Sequence, residues 1–215
     1  MSDPAASLKL HAWLSPGFPV GAFAYSHGLE RAVADGDVRC RETLTGWLDA
    51  ILRFGAGRSD AIILAAAWRD PEDAAPAELA RTLQPSAERR RETEAQGAAF
   101  AEIAGAARPA AGLDGAPVPY PVAVGRVARA HGVPLAETLP LFLQAFAANL
   151  VSAAVRLVPL GQTDGQRALA ALGPACLAVA EEAAAATLDD VGGAAIRVDL
   201  ASLGHETQAV RLFRS

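Results

Sequence analysis

The chain has 215 residues, of which 52% are hydrophobic and 20% charged, and its formal net charge is −5. These values fit one folded domain with a full apolar core and exclude a disordered chain. The basic side chains are 18 Arg and one Lys, and their longest run is Arg89-Arg90-Arg91. This argues against a nucleic-acid partner, which requires a concentrated basic face.

Alanine decides the predicted fold class. The chain contains 51 alanines, often in blocks, and alanine has the highest helix propensity and is depleted in strands. The sequence therefore predicts an all-α, single-domain bundle of roughly eight to ten helices.

Three features lead us to expect a soluble protein of the cytoplasm. Cys40 and Cys176 are far apart in the sequence and fit free thiols in a reducing compartment. Residues 1–4 show neither the basic nor the apolar region of a secretion signal. The longest uncharged apolar stretch, residues 139–155, contains polar interruptions and is shorter than the roughly 20 residues that a membrane span needs.

The first half of the chain alternates predicted helices with one irregular stretch. Asp3-Pro4 fits a helix start, and this helix ends near Leu14. Residues 17–28 mix glycines with aromatics, and a short helix follows over 29–33. Further helices are predicted over 59–68, 77–83 and 86–107. The clearest prediction is an amphipathic helix over 42–54, whose apolar face is formed by Leu44, Trp47, Leu48, Ile51 and Leu52.

The second half begins with the proline- and glycine-rich residues 108–121, which predict a surface loop. A helix over 122–130 follows. Residues 135–158 carry apolar side chains all round, which predicts the central helix of the bundle. Thr163 to Gln166 fits a capping box opening a helix to about residue 187, with a bend at Gly173-Pro174. We expect a polar C-terminal tail over about 197–215.

The usual patterns of enzymatic sites are missing from the sequence. The single lysine, Lys9, has no glycine before it, so a P-loop is excluded. No glycine-rich dinucleotide motif occurs, and the four histidines stand apart from one another. The sequence therefore predicts a protein without catalytic residues, resident metal or cofactor.

Three polar residues leave alternatives open. His27 and Glu30, three positions apart, could supply two ligands of a shared site or form a surface or cap pair. Ser26 beside His27 does not form a nucleophile and base, because adjacent helical residues point apart and no acidic orienting group is evident. Arg156 is either a partner-facing anion binder or an arginine at the core edge.

Two segments carry more aromatic and charged residues than folding alone requires. The first, residues 15–30, mixes glycines and aromatics in a short irregular run. The second, residues 205–215, alternates Arg with Leu and Phe, which are side chains favoured at protein interfaces. Both segments indicate contacts with other proteins.

A series of blocks along the whole chain carries a family resemblance. They are Leu14-Ser15-Pro16, Phe18 to Phe23, Tyr25 to Glu30, Trp47-Leu48, Tyr120 to Gly125, Asn149 to Gln166, His205-Glu206 and Arg211 to Ser215. In this order the blocks resemble the urease accessory protein UreF family. The departures are small: Phe18 and Val20 stand where Leu and Ile are common in that family.

The resemblance implies an all-helical and usually homodimeric protein without enzymatic activity. It implies a protein that binds the accessory protein UreD, called UreH in some organisms, and recruits the GTPase UreG. The assembly delivers nickel to apo-urease. The P-loop and the main metal carrier would then belong to the partners.

By analogy with the family, eleven residues are candidates for contacts with partners. They are Tyr25, His27, Glu30, Arg156, Gln162, Asp164, Gln166, His205, Glu206, Arg211 and Arg214. We expect the C-terminal tail to be mobile in the free protein and ordered in the complex. A second hypothesis makes the chain a GTPase-activating regulator, with Arg211 or Arg214 supplied in trans.

Overall fold

The computed structural model describes residues 4–107 and 118–215. Within these ranges the chain is helical and contains no strand, which confirms the all-α prediction. The α-helices are α1 (Pro4–Trp13), α2 (Leu29–Ala34), α3 (Arg41–Phe54), α4 (Ala56–Arg69), α5 (Ala75–Thr82), α6 (Ala87–Ala107), α7 (Tyr120–Ala130), α8 (Leu135–Leu157), α9 (Gln162–Ala185) and α10 (Ile196–His205). Most of the predicted loop over 108–121 lies outside the described residues.

Helix α3 shows how apolar spacing sets the local structure. The five residues predicted to form its apolar face, Leu44, Trp47, Leu48, Ile51 and Leu52, are its buried residues. They face α4 and α9. The three- and four-residue spacing therefore determines both the helix and the side that it turns to the core.

Two helices share the centre of the bundle. Helix α8 contacts helices on several sides, as predicted for residues 135–158, but it is not enclosed all round, and Leu141 is 42% exposed. Helix α4 runs beside it and has a continuous buried stretch from Asp60 to Ala65. The short alanine side chains of α4 allow α3, α7, α8 and α9 to pack around it.

A glycine sets the closest approach between two of these helices. A Cβ atom added to Gly125 of α7 would lie 2.5 Å from the backbone oxygen of Leu64 in α4. This distance is far below van der Waals contact, so α4 and α7 pack backbone to backbone at this point.

Helices α8 and α9, among the described residues, are long and apolar enough to span a membrane by length and composition. Both contribute to the core, where they pack against each other and against α3 and α4. Their buried faces account for part of this apolar character, although Leu177 of α9 is 63% exposed.

Three details of the second half differ from the sequence-based expectations. Helix α9 begins at Gln162 with Gly161 as N-cap and no side-chain cap bond, so Thr163 lies inside the first turn and forms no capping box. The helix passes through Pro174 without interruption and ends at Ala185. The expected polar tail begins instead with α10, whose buried side includes Ala201 and Ser202.

Replacing Gly125 with alanine tests the α4–α7 contact. We expect Gly125→Ala to lower the free energy of unfolding by about 2 kcal/mol, since overpacking costs about 1–3 kcal/mol. The matched control is Gly46→Ala on α3, where an added Cβ meets no atom within 4 Å. There the better helix propensity of alanine should raise stability by about 0.5–1 kcal/mol. Urea unfolding of both variants measures the two effects, and changes of equal sign would contradict the packing argument.

Candidate protein-binding site around the C-terminal tail

The last residues of the chain dock onto the segment that precedes and begins α2. We call residues 206–215 the tail. Glu30 accepts hydrogen bonds from the backbone N–H groups of Leu212 at 2.7 Å and Phe213 at 2.9 Å. The backbone N–H of Arg214 donates to the oxygen of Ala24 at 2.8 Å. One buried carboxylate thus holds two consecutive backbone groups of the tail.

A buried histidine joins α10, α2 and α6. His205 is fully buried, with Nδ1 2.7 Å from Glu88 Oε2 and Nε2 3.3 Å from Glu30 Oε2. Arg211 donates to the other oxygen of Glu88 at 2.6 Å. Both carboxylates are therefore shared between the end of α10 and the tail, so α10 and the tail form one hydrogen-bonded unit.

A second set of bonds fixes the end of the tail. Ser26 donates to the oxygen of Ser215 from its backbone N–H at 2.9 Å and from Oγ at 2.5 Å. Ser215 Oγ donates to Glu92 Oε2 at 2.6 Å. Phe213, 4% exposed, lies beneath Arg156, whose guanidinium carbon is 4.4 Å from the ring centre.

Backbone geometry explains why the Tyr25 to Glu30 block can receive the tail. Gly28 has φ 73°, and a Cβ there would lie 2.6 Å from the backbone nitrogen of Ser202. Glycine thus allows the start of α2 to touch α10 directly. His27 also has a positive φ, 55°, which turns its side chain toward α6.

The charges beneath the tail are paired inside the protein. Arg89 and Glu92 of α6 form a buried ion pair, and His27 Nε2 lies 2.7 Å from Glu92 Oε1. Burial alone would raise the pKa of Glu92, but Arg89 and the hydrogen bonds from His27 and Arg89 outweigh it and lower this pKa to about 2. Burial and the neighbouring Arg89 lower the pKa of His27, so its ring is neutral near pH 7.

A third acid, Asp60 of α4, lies near this ion pair and is 7% exposed. No group in the described parts of the chain hydrogen-bonds to its carboxylate. Burial raises the pKa of Asp60 to about 6; Arg89 lowers it and Glu92 raises it further. The ionised form of Asp60 therefore destabilises the folded protein at neutral pH.

Four of the eleven predicted residues are buried, and of these Glu30 bonds directly to the tail. Tyr25, His27, Glu30 and His205 are each at most 8% exposed. His27 and Glu30, expected as a surface or cap pair or as two ligands of one site, turn instead to different partners in α6 and in the tail. Their spacing of three residues does not bring them to one face because His27 precedes α2 with a left-handed backbone.

The other seven candidates fall into two regions. Arg156, Glu206, Arg211 and Arg214 lie at or beside the tail, where Arg156 also donates to the oxygen of Phe23 at 2.8 Å. Gln162, Asp164 and Gln166 lie at the start of α9, and Asp164 pairs with Arg41 and Arg167. The structure thus brings the first set together, and the contacts of Asp164 connect the second set to α3.

Sequence reasoning missed the α6 residues that complete the site. Arg89, Glu92, Thr93 and Gln96 recur at helical spacing and are buried, although all four are polar. It also missed the acidic partner of His27, because Glu92 is 65 residues away in the sequence. Ser26 Oγ bonds to Ser215 and not to His27, so these residues do not form a nucleophile and base.

Exposed apolar and arginine side chains lie on the docked tail and beside it. Phe23 is 69% exposed, Val210 83% and Leu212 64%, and the exposed Arg214 lies between the buried residues Phe213 and Ser215. We call Phe23, Arg156, Val210, Leu212 and Arg214 the tail surface. Apolar and arginine side chains together are typical of protein interfaces. Within the described residues, no group of three or more histidine, cysteine or acidic side chains could hold a metal ion.

Comparison with known proteins gives one consistent family. The family model described as UreF matches residues 38–173. A urease accessory protein UreF of Cereibacter sphaeroides strain KD131 is 58% identical over 211 residues, which cover 98% of this chain and 99% of the relative. One of Rhodopseudomonas palustris strain HaA2 is 55% identical over 228 residues, covering 100% of this chain and 96% of the relative.

The role of Glu30 in holding the tail predicts a change in protease sensitivity. Glu30→Gln replaces one acceptor oxygen with a donor, and a hydrogen bond to a charged group contributes about 1.5–3 kcal/mol. We expect tryptic cleavage after Arg211 to become at least about tenfold faster. Glu78→Gln, on the exposed side of α5, is the control and should leave the cleavage rate unchanged. Equal rates for the two variants would contradict the proposed anchoring.

The buried acid Asp60 predicts a pH-dependent stability change. A pKa of about 6 in the folded protein, against an ordinary 3.8, corresponds to about 3 kcal/mol of destabilisation above pH 6 that disappears below pH 4. Asp60→Asn should therefore raise the free energy of unfolding by about 3 kcal/mol at pH 7.5 and by little at pH 4. Urea unfolding at both values tests this.

The control for this measurement is Asp49→Asn. Asp49 is a partly exposed acid on α3 that pairs with Arg53, and its replacement should change stability by less than about 0.5 kcal/mol at either pH. A gain for Asp60→Asn that is equal at both pH values would rule out ionisation as its cause.

Proposed function

The chain belongs to the UreF family of urease accessory proteins, and we propose that it serves urease maturation as a nickel-insertion chaperone without enzymatic activity. In this proposal it binds UreD (UreH), recruits the GTPase UreG and supports GTP-dependent delivery of nickel to apo-urease. It acts in the cytoplasm as a homodimer. Nickel is the cargo of the assembly.

The observation that carries the proposal is the tail surface. Its apolar side chains are exposed, yet the tail that presents them is fixed by acids beneath it. Glu30 binds the tail backbone, Glu88 binds the side chain of Arg211, and Glu92 binds the side chain of Ser215. A pre-ordered surface loses less conformational entropy on binding than a mobile segment. We therefore assign partner binding to a tail that is already docked in the free chain. From the sequence alone we expected a tail that is mobile until it binds.

The sequence supports the assignment of GTP hydrolysis to UreG and not to this chain. GTP hydrolysis requires a phosphate-binding lysine in a glycine-rich loop, and the single lysine, Lys9, has no such setting. In the proposed assembly this chemistry belongs to UreG. The chain contributes surface and position.

A second candidate function is activation of the GTPase by an arginine supplied in trans. The observation in its favour is Arg214, which is exposed and makes no side-chain hydrogen bond or ion pair within the described residues. Arg211, the other candidate from the sequence, is already paired with Glu88. Arg214 is thus better placed to reach a phosphate on a partner.

Changing the tail surface without disturbing its anchors tests the first proposal. Val210 is 83% exposed, so Val210→Glu should leave the unfolding temperature unchanged. It should weaken co-purification with UreD or UreG about tenfold or more, as loss of an interface anchor does. The control is Leu8→Glu on α1, where Leu8 is 72% exposed. Unchanged retention of both partners by the Val210 variant would contradict the role of the tail surface.

Single-turnover GTP hydrolysis by UreG, with and without this chain, decides between the two functions. A trans-acting arginine accelerates hydrolysis by about 10³-fold or more, and Arg214→Ala would abolish that gain. Arg90→Ala, which removes an exposed arginine of α6 paired with Glu94, is the control. A chaperone without an activating arginine leaves the rate unchanged in all three proteins.

A further inference from the structure

A cavity of about 390 Å³ lies beneath the irregular segment before α2. Its walls come from that segment and from α1, α4, α6, α7 and α8. Four of its lining residues in that segment, Pro16, Gly17, Pro19 and Phe23, are exposed, so the cavity reaches solvent on that side. It is large enough for a small organic molecule.

The cavity is aromatic on its walls and charged at one side. Its aromatic lining residues are Trp13, Phe18, Phe23, Tyr120, Phe142 and Phe146. Its charged lining residues are Asp60, Arg89 and Glu92. Arg89 and Glu92 are paired with each other, so Asp60 is the acid without a matching cation.

One buried polar atom at this cavity, Nδ1 of His27, has no hydrogen-bond partner in the described residues, and His27 is 6% exposed. The side chain of Asp60, which is 7% exposed, also lines the cavity. The Nε2 of His27 is shared between Glu92 and Arg89, so Nδ1 is unpaired in either tautomer. Buried polar groups are nearly always hydrogen-bonded, and buried charges are paired.

We propose that this cavity binds a small organic ammonium ion through Asp60, His27 and the surrounding aromatic rings. An ammonium group donates to the carboxylate of Asp60 and to Nδ1 of His27, which is an acceptor when Nε2–H donates to Glu92. The aromatic faces of the walls attract the cation and cover its alkyl part. The proposal concerns the free chain and is independent of the proposed function.

The residues that line the cavity favour an ammonium ion over a metal ion. Within the described residues no three histidine, cysteine or acidic side chains are placed to share a metal. The guanidinium of Arg89, beside Glu92, would also repel a divalent cation more strongly than a monovalent one. Of the aromatic wall residues only Tyr120 carries a side-chain oxygen atom, which is too few to replace the water ligands of a hard divalent cation.

Calorimetric titration of the full chain at pH 7.5 with n-butylammonium chloride, at constant ionic strength, tests the proposal. We expect saturable binding to the wild-type protein and at least about tenfold weaker binding to Asp60→Asn. Butan-1-ol, which has the same number of heavy atoms and no charge, should bind at least about tenfold more weakly than the amine. The control variant Asp49→Asn should bind the amine as the wild type does.

Three results would overturn the proposal. They are the absence of saturable binding at millimolar amine, equal binding by Asp60→Asn and wild type, and equal binding of the alcohol and the amine. A second variant, Phe142→Leu, tests the aromatic wall without changing Asp60. Relative to the wild type, this variant should lose more affinity for the amine than for the alcohol. Because only the free chain is titrated, failure here leaves the proposed function untouched.

Discussion

The structure depends on the placement of carboxylates inside a helical bundle. Glu30 and Glu92 are at most 8% exposed, and a buried carboxylate is tolerated only when donors surround it. For Glu92 the donors come from Arg89, His27, Gln96 and Ser215; for Glu30 they come from the tail backbone and His205. Satisfying these acids requires the tail to return to α2 and α6.

This constraint links the tail surface to the cavity. The bonds of Glu30 and Glu92 hold the tail from below, so the side chains between its anchored groups are presented outward as the tail surface. The same Arg89–Glu92 pair forms the charged side of the cavity under residues 15–23. A change in the hydrogen bonds of Glu92 would therefore affect both the tail and the cavity, because Glu92 bonds to Ser215 in the tail and to His27 and Arg89 at the cavity.

Most helices could be predicted because apolar spacing and alanine content act locally. The bounds of α3 and α8 agree with the predictions within one residue at each end, and the candidate residues of the two unusual segments do meet around the tail. The capping box was wrong because α9 starts one residue before Thr163. Helix α10 was missed because it turns Ile196, Leu200 and Leu203 outward, so its apolar pattern does not mark a buried face.

The sequence by itself determined the helical class, the amphipathic faces and, through its motifs, the family. These properties follow from residue type and short-range spacing, which need no knowledge of distant neighbours. Only the tertiary structure decided which polar residues are buried. Glu92 meets His27 across 65 residues and Ser215 across 123, and burial at such separations depends on how the helices pack. For that reason the docking of the tail, through the buried residues Phe213 and Ser215, could not be predicted from the sequence.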